Sequence, residues 1–175
     1  LSWLATNGVA SIVCFPGVLY RGGAEQKIRK YLIDNNFVDC IIQLPDNLFF
    51  GTSIATCIMV LKKSKTDNSV LFIDATEDCV KVTNSNKLTP HNINDIIDAY
   101  SARENKEHKS ALVSNDEIAK NDYTLSVNKY VTAKVEKEEI NIKELNAEIE
   151  RIVERQAKLR DSLTEIIKQL EEGNN

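Results

Sequence analysis

Residues 44–61 read LPDNLFFGTSIATCIMVL. An apolar run ends in a polar, Gly-containing turn that carries two adjacent aromatics, Phe49 and Phe50, and a second apolar run follows. Neither solubility nor turn geometry requires two phenylalanines in a loop. Two rings at a strand mouth point to a flat apolar ligand, such as a nucleobase. A core or lid position for both rings is the plainer alternative. Asn47, Thr52 and Ser53 can hydrogen-bond a ligand edge, although turns use the same residue types for local bonds. A second loop, residues 16–23, closes with Tyr20-Arg21-Gly22-Gly23 just ahead of a helical pattern. Arg21 and the amides of Gly22 and Gly23 suit a phosphate or DNA backbone near a helix start. A Gly-rich turn with a surface arginine accounts for the same residues. The loop has neither G-x-G-x-x-G nor P-loop spacing, so alone it is weak ground for nucleotide binding.

The elements that must position these loops follow from the apolar pattern. Val9-Ala-Ser-Ile-Val-Cys-Phe15 is nearly continuous, as in a strand buried on both faces. Residues 24–35 have helical periodicity, with Ala24, Ile28, Tyr31 and Leu32 on one face and Glu25, Lys27, Arg29 and Lys30 mostly elsewhere. Asn35-Asn36 can end that helix, and residues 38–44 form a second strand. Strand, helix and strand joined this tightly imply a right-handed parallel crossover. Residues 54–62 are a third strand, joined to the second by a loop too short for a crossover, hence antiparallel to it. Residues 70–74 are a fourth. In open α/β sheets ligands bind beyond the carboxyl ends of parallel strands, where both loops lie.

Thr89-Pro90 is an N-cap followed by proline in the first turn, predicting a helix over 92–102 with Ile93, Ile96, Ile97 and Tyr100 inward. Residues 103–110 read as charged and exposed, Ser114-Asn-Asp-Glu117 as a capping box, and residues 122–131 as an extended connector. Between 134 and 172 there is no Gly, Pro or aromatic residue. There Leu145, Ile149, Ile152, Gln156, Leu159, Leu163, Ile166 and Leu170 recur at alternating steps of four and three, a seam with Gln156 its single polar member. Val153 and Ile167 widen it beyond a two-stranded coil, towards a bundle of several helices. Pairs such as Glu154/Lys158 contribute only ~0.2–0.5 kcal/mol each, so the helix needs a partner.

Composition sets limits. The 175 residues carry 26 acidic and 22 basic side chains, a net charge of −4, so an overall field does not draw this chain to DNA. Four cysteines (Cys14, Cys40, Cys57, Cys79) without a C-x-x-C pair, and two histidines (His91, His108), argue against a zinc site. Cysteines within apolar strands read as buried, reduced thiols of a cytoplasmic protein. The opening Leu1-Ser-Trp-Leu-Ala reads as the end of a helix in a longer protein and lacks the features of a signal peptide. No run approaches the roughly 18 apolar residues that a membrane helix needs.

Three stretches carry a resemblance: Gly17-Val-Leu-Tyr-Arg-Gly-Gly-Ala-Glu-Gln-Lys-Ile-Arg29, residues 44–61, and Asp122-Tyr-Thr-Leu-Ser-Val-Asn-Lys-Tyr-Val131 with the helix beyond it. Together they resemble the modification (M) subunit of type I restriction–modification systems, over essentially the whole chain. The resemblance implies an adenine-N6 DNA methyltransferase using S-adenosylmethionine, built on a Rossmann-like mixed sheet with a late antiparallel strand near one edge. It implies two M subunits joined to a specificity (S) subunit that reads DNA, with a restriction (R) subunit able to add. The family's Gly-rich cofactor turn and its Asn-Pro-Pro-Phe tetrapeptide lie earlier in its sequence and are absent here. Residues 1–131 are then the C-terminal part of the catalytic domain, and 132–175 a helix for subunit assembly. No catalytic residue, cofactor site or metal is expected in this chain, which by itself should not methylate DNA.

The position of Phe49, with Phe50 as second choice, resembles the one where related adenine methyltransferases stack a ring on the flipped-out base. The C-terminal helix resembles the element that docks the S subunit. Two departures bear on this. Ala55 stands where the family often has proline, which relaxes the turn. No Asp separates Pro16 from Gly17, so the loop after Phe15 lacks the carboxylate that the family often has there, which counts against a polar role for it. Half a sheet would also leave an open edge and apolar surface. A non-enzymatic scaffold docking the S subunit through its helix remains a competing function. A small nucleotide-binding α/β protein with a self-associating tail is a third, against which the missing phosphate fingerprint counts.

Overall fold

A computed structural model describes residues 1–83, 85–132 and 142–172, with side chains of the last segment described at 146–164 and 167. The chain divides into two compact units, Leu1–Lys134 and Val135–Asn175. In chain order the first contains β1 (Val9–Cys14), a 3-10 turn (Pro16–Leu19), α1 (Ala24–Asp34), β2 (Val38–Gln43), β3 (Cys57–Lys62) and β4 (Ser69–Asp74). Then come β5 (Val80–Val82), β6 (Ser85–Lys87), α2 (Pro90–Ala102), β7 (Ser110–Ser114), α3 (Asn115–Lys120) and a second 3-10 turn (Val127–Lys129). The second unit contains α4 (Ile142–Glu172). No helix among the described residues is long and apolar enough to cross a membrane.

The main sheet has the order β1-β3-β2-β4-β7. β3 is antiparallel to both β1 and β2, β2 and β4 are parallel, and β7 is antiparallel to β4. β1 and β2 therefore run in one direction, as the strand–helix–strand pattern predicts, but β3 lies between them. The sheet buries both faces through period-two alternation. On one face Met59, Leu61, Val70 and Phe72 pack with Leu32 and Ile33 of α1, Ile118 of α3 and the Leu125–Val131 segment. On the other, Ile42, Val60, Leu71 and Ile73 pack against Ile96 of α2. A register irregularity between Val38 and Cys40 explains why Val38 and Ile41, three apart, share a face.

That irregularity contains Asp39, whose side chain is 3% exposed and collects an ionic cluster. It accepts from the Tyr100 hydroxyl at 2.6 Å and Arg103 Nη1 at 3.0 Å, and lies 3.1 Å from Lys62 Nζ. Burial pushes the Asp39 carboxyl up, but these three partners outweigh it and hold the group below the usual carboxylate range. The cluster fixes the end of α2 to the sheet. Thr89 caps the start of α2 as its sequence predicts, accepting from the Asn92 amide while the Asn92 side chain accepts from the Thr89 amide.

Several expectations are corrected. β1 is not buried on both faces: Val9, Ile12 and Val13 stay about half exposed, because β1 is an edge strand with no layer over most of it. α1 does not bury Ala24, Ile28 and Tyr31. It turns Leu32, Ile33 and Arg29 inward, with Arg29 donating from Nε to the Tyr123 carbonyl (2.8 Å) and from Nη1 to that of Val18 (2.9 Å). Two otherwise unpaired carbonyls thus recruit the guanidinium against hydropathy. On α2 only Ile96 is buried; Ile93 and Ile97 border an open apolar groove with Val9, Ile58 and Val60. Residues 122–131 are no extended connector: Leu125, Val127 and Val131 are buried, and the Tyr130 ring lies 4.4 Å from that of Phe72. The opening residues form turns rather than a helix end.

Candidate functional site

The loop from β2 to β3 leaves the sheet at the carboxyl end of β2, the end at which β1 also finishes. Leu44 is anchored by donating to the Thr56 carbonyl at 2.9 Å, and the Gln43 side chain donates to the same oxygen at 3.2 Å. Gly51 takes φ +81°, which lets the chain reverse immediately after the two rings. The Thr52 amide donates to the Phe49 carbonyl, and Thr52 Oγ1 accepts from the Ile54 amide at 3.1 Å. The β5–β6 hairpin, which periodicity does not reveal, clamps the near side of the loop. The Asn86 amide donates to the Asn47 carbonyl at 2.9 Å, and the Asn86 side chain donates to both Asp46 oxygens, backbone and carboxylate.

This framework separates the two phenylalanines. Phe50 is fully exposed, whereas Phe49 is 43% exposed and borders a cavity of about 200 Å³ with Val13, Cys14, Phe15, Thr52 and Thr56. Phe15, at the end of β1, is thus brought beside Phe49 by the β1–β3 pairing; its position directly before Pro16 was the available signal. Thr56 is buried, and its hydroxyl has no hydrogen-bond partner among the described residues. The cavity offers an aromatic wall and the aliphatic Val13, a chemistry suited to a planar apolar group, while the Thr56 hydroxyl oxygen is closed off from solvent. Thr52 is occupied within the loop itself, and the carbonyl of Asn47 is taken by the Asn86 amide.

The Arg21 loop leaves the same end of the sheet, after β1. Arg21, Gly22 and Gly23 are all exposed. The Arg21 amide donates to the Gly17 carbonyl at 3.0 Å, and its guanidinium lies over Gly17, where an added Cβ would come within 2.9 Å of Nε. Gly23 caps α1 at φ +76° with no side-chain cap, leaving open amides at the helix start.

On α4, Ile149, Ile152, Gln156, Leu159 and Leu163 all lie exposed along the helix, as do Val153 and Ile167. The side chains of Leu145, Ile166 and Leu170 lie outside the described residues. Among the described residues no group of three His, Cys, Asp or Glu side chains is placed to hold a metal ion. Two apolar cavities differ in their walls. The Phe49 cavity has no ionic side chain, and the groove beside α2 is walled by aliphatic residues with Ser11 and Tyr100.

Residues 1–139 match the family model described as N-6 DNA Methylase. The chain is 46% identical over 168 residues to the methylase subunit of the type I restriction enzyme MpnII of Mycoplasma pneumoniae, covering 95% of this chain and 31% of that protein. It is 37% identical over 162 residues to the MjaVII methylase subunit of Methanocaldococcus jannaschii, covering 89% and 28%. The solved type I restriction–modification methyltransferase subunit of Streptococcus thermophilus superposes with a TM-score of 0.69 at 44% identity, over 71% of this chain and 26% of that one. The M protein of the type I restriction enzyme EcoKI, at 15% identity, shares the fold with a TM-score of 0.60, over 89% and 41%. The chain spans less than a third of the length of these two curated relatives.

Proposed function

The chain belongs to the N-6 DNA methylase family, and we propose that it is the C-terminal part of the modification subunit of a type I restriction–modification system. The whole subunit transfers a methyl group from S-adenosylmethionine to adenine N6 in DNA. The observation that carries this reading at the level of chemistry is the half-exposed Phe49 ring, held at a strand mouth over a small cavity beside Phe15 and Val13. An adenine amino group cannot be attacked while stacked in a duplex, so the base must be extruded and held by stacking. Phe49 stacks on that base, and Phe50, more exposed, contacts the surrounding DNA. Arg21 and the amides of Gly22 and Gly23 meet the DNA backbone from the neighbouring loop.

The methyl donor binds to residues outside this chain, since neither the family's Gly-rich cofactor turn nor its Asn-Pro-Pro-Phe tetrapeptide occurs among these residues. Residues 1–131 complete a Rossmann-like catalytic domain, the half-exposed apolar edge strand β1 being where the remainder of that sheet joins. Residues 132–175 supply the assembly helix. The exposed seam of α4 docks the specificity subunit, and the assembly includes a second modification subunit and admits the restriction subunit. The scaffold reading keeps this helix and removes the chemistry. Labelled S-adenosylmethionine given to the full-length subunit, its specificity subunit and DNA separates the two. Label recovered as N6-methyladenine supports the enzyme; an assembled complex that labels no adenine leaves the scaffold.

A further inference from the structure

Cys14 in the wall of the Phe49 cavity belongs to a cysteine pair that base stacking does not require. Cys14 and Cys57 are direct partners across the β1–β3 ladder, with their sulfur atoms 3.5 Å apart and both thiols free. Antiparallel partners have Cα atoms about 4.5–5.5 Å apart. That falls within the roughly 4.4–6.8 Å over which a disulfide closes without backbone movement. Rotation of the two side chains is enough to bring the sulfurs to bonding distance.

The two thiols are unequal. Cys14 is partly exposed and lines the cavity, whereas Cys57 is buried. The hydrogen bond between them holds the Cys14 thiol down, against the effect of burial, at about 7, and the same bond together with burial pushes Cys57 up. Cys14 is therefore the nucleophile and Cys57 the resolving thiol. The other cysteines do not compete. Cys40 is buried and pushed up by desolvation, and Cys79 is pushed up by burial and by the carboxylates of Glu77, Asp46 and Asp78.

We propose that Cys14 and Cys57 form a reversible thiol–disulfide modification site, oxidised by a small disulfide of the glutathione class. The Cys14 thiolate attacks one sulfur of the small disulfide, forming a mixed disulfide and releasing one thiolate, which takes up the Cys14 proton. Capping Cys14 removes its thiolate, one of the factors that hold the Cys57 proton, the others being burial and the hydrogen bond from Cys57 Sγ to the Cys14 carbonyl at 3.3 Å. Cys57 then attacks Cys14 Sγ, the mixed S–S bond breaks, and the second small thiol leaves with the Cys57 proton. Two protein thiols are oxidised and one small disulfide is reduced to two thiols; excess small thiol reverses both steps. The product ties β1 to β3 directly beneath the Phe49 loop, and the site stands whether or not that loop meets a base.

The test is a titration of the full-length protein in glutathione buffers of increasing disulfide content, with acid quenching, alkylation and peptide mapping without reduction. The expected result is joint loss of alkylation at Cys14 and Cys57 and a peptide pair linked through them, restored by excess glutathione. Cys57→Ser should stop at the Cys14–glutathione adduct, and Cys14→Ser should leave Cys57 unmodified. Glutathione on wild-type Cys14 with no link to Cys57, or both thiols still reduced while other cysteines oxidise, would overturn the proposal. The wild-type map decides the matter even if a serine variant folds poorly.

Discussion

In the sheet unit Phe72, Ile41 and Ile73 have no exposed surface, whereas on α4 Ile152, Leu159 and Leu163 are 58–63% exposed. The residue types are alike; the difference is what the chain places over them. The alternating strands supply their own covering layers, α1 and α3 on one face and α2 on the other. A heptad seam specifies only which side chains share a stripe, and on α4 the described part of that stripe stays open. β1 is intermediate, a strand by pairing whose apolar side chains remain half exposed. Apolar surface that the chain leaves uncovered is where the whole protein and its partners are expected to meet it.

If the two regions differ in this way, they should fail separately. The largest effect is expected from Leu159→Asp, which puts a charge into the proposed docking seam. Co-purification of the full-length subunit with its specificity subunit should be lost while the thermal melt of the sheet stays unchanged. Retained co-purification would break the comparison on the helix side.

Next is Asp39→Ala, which leaves Arg103, Lys62 and the Tyr100 hydroxyl facing an empty position beside β2. Only Asp39 is buried while Lys62 and Arg103 keep over a quarter of their side-chain surface exposed, so the loss should lie between the roughly 1 kcal/mol of a surface pair and the roughly 3–5 kcal/mol of a fully buried one. Urea unfolding should show that loss in the sheet, with partner binding retained below the transition. A loss under 1 kcal/mol would mean that the cluster behaves as a surface ion pair. A smaller effect is expected from pH. Since the folded Asp39 group lies below its unfolded value, its contribution is complete above about pH 4 and disappears as pH falls through the lower folded value. The sheet should lose part of its stability over that acid range, and Asp39→Asn should flatten this part of the profile. An unchanged profile in that variant would remove Asp39 from the account.

Much of the sheet was legible because it rests on short-range signals. The runs at 38–44, 54–62 and 70–74 become β2, β3 and β4, and Thr89-Pro90 opens α2 with the capping geometry its residues predict. What escaped depends on tertiary pairing. The short Ser110–Ser114 strand exists by pairing with β4, and the β5–β6 hairpin by clasping Asp46 and Asn47. Arg29 is buried because two distant carbonyls need donors, which no periodicity encodes. At the candidate site Phe49 and Phe50 were legible as a pair. Their separation into a cavity-lining ring and a fully exposed one was not, because it depends on Phe15 and Thr56 arriving from β1 and the start of β3.

The central claim is that Phe49 holds the extruded adenine. The most direct test is single-turnover methyl transfer by the full-length subunit with its specificity subunit, wild type against Phe49→Ala, with assembly monitored in the same samples. Stacking of roughly 1–3 kcal/mol per base predicts a rate about 5- to 150-fold lower in the variant with assembly intact. An unchanged rate, with unchanged affinity for extruded adenine, would contradict the account.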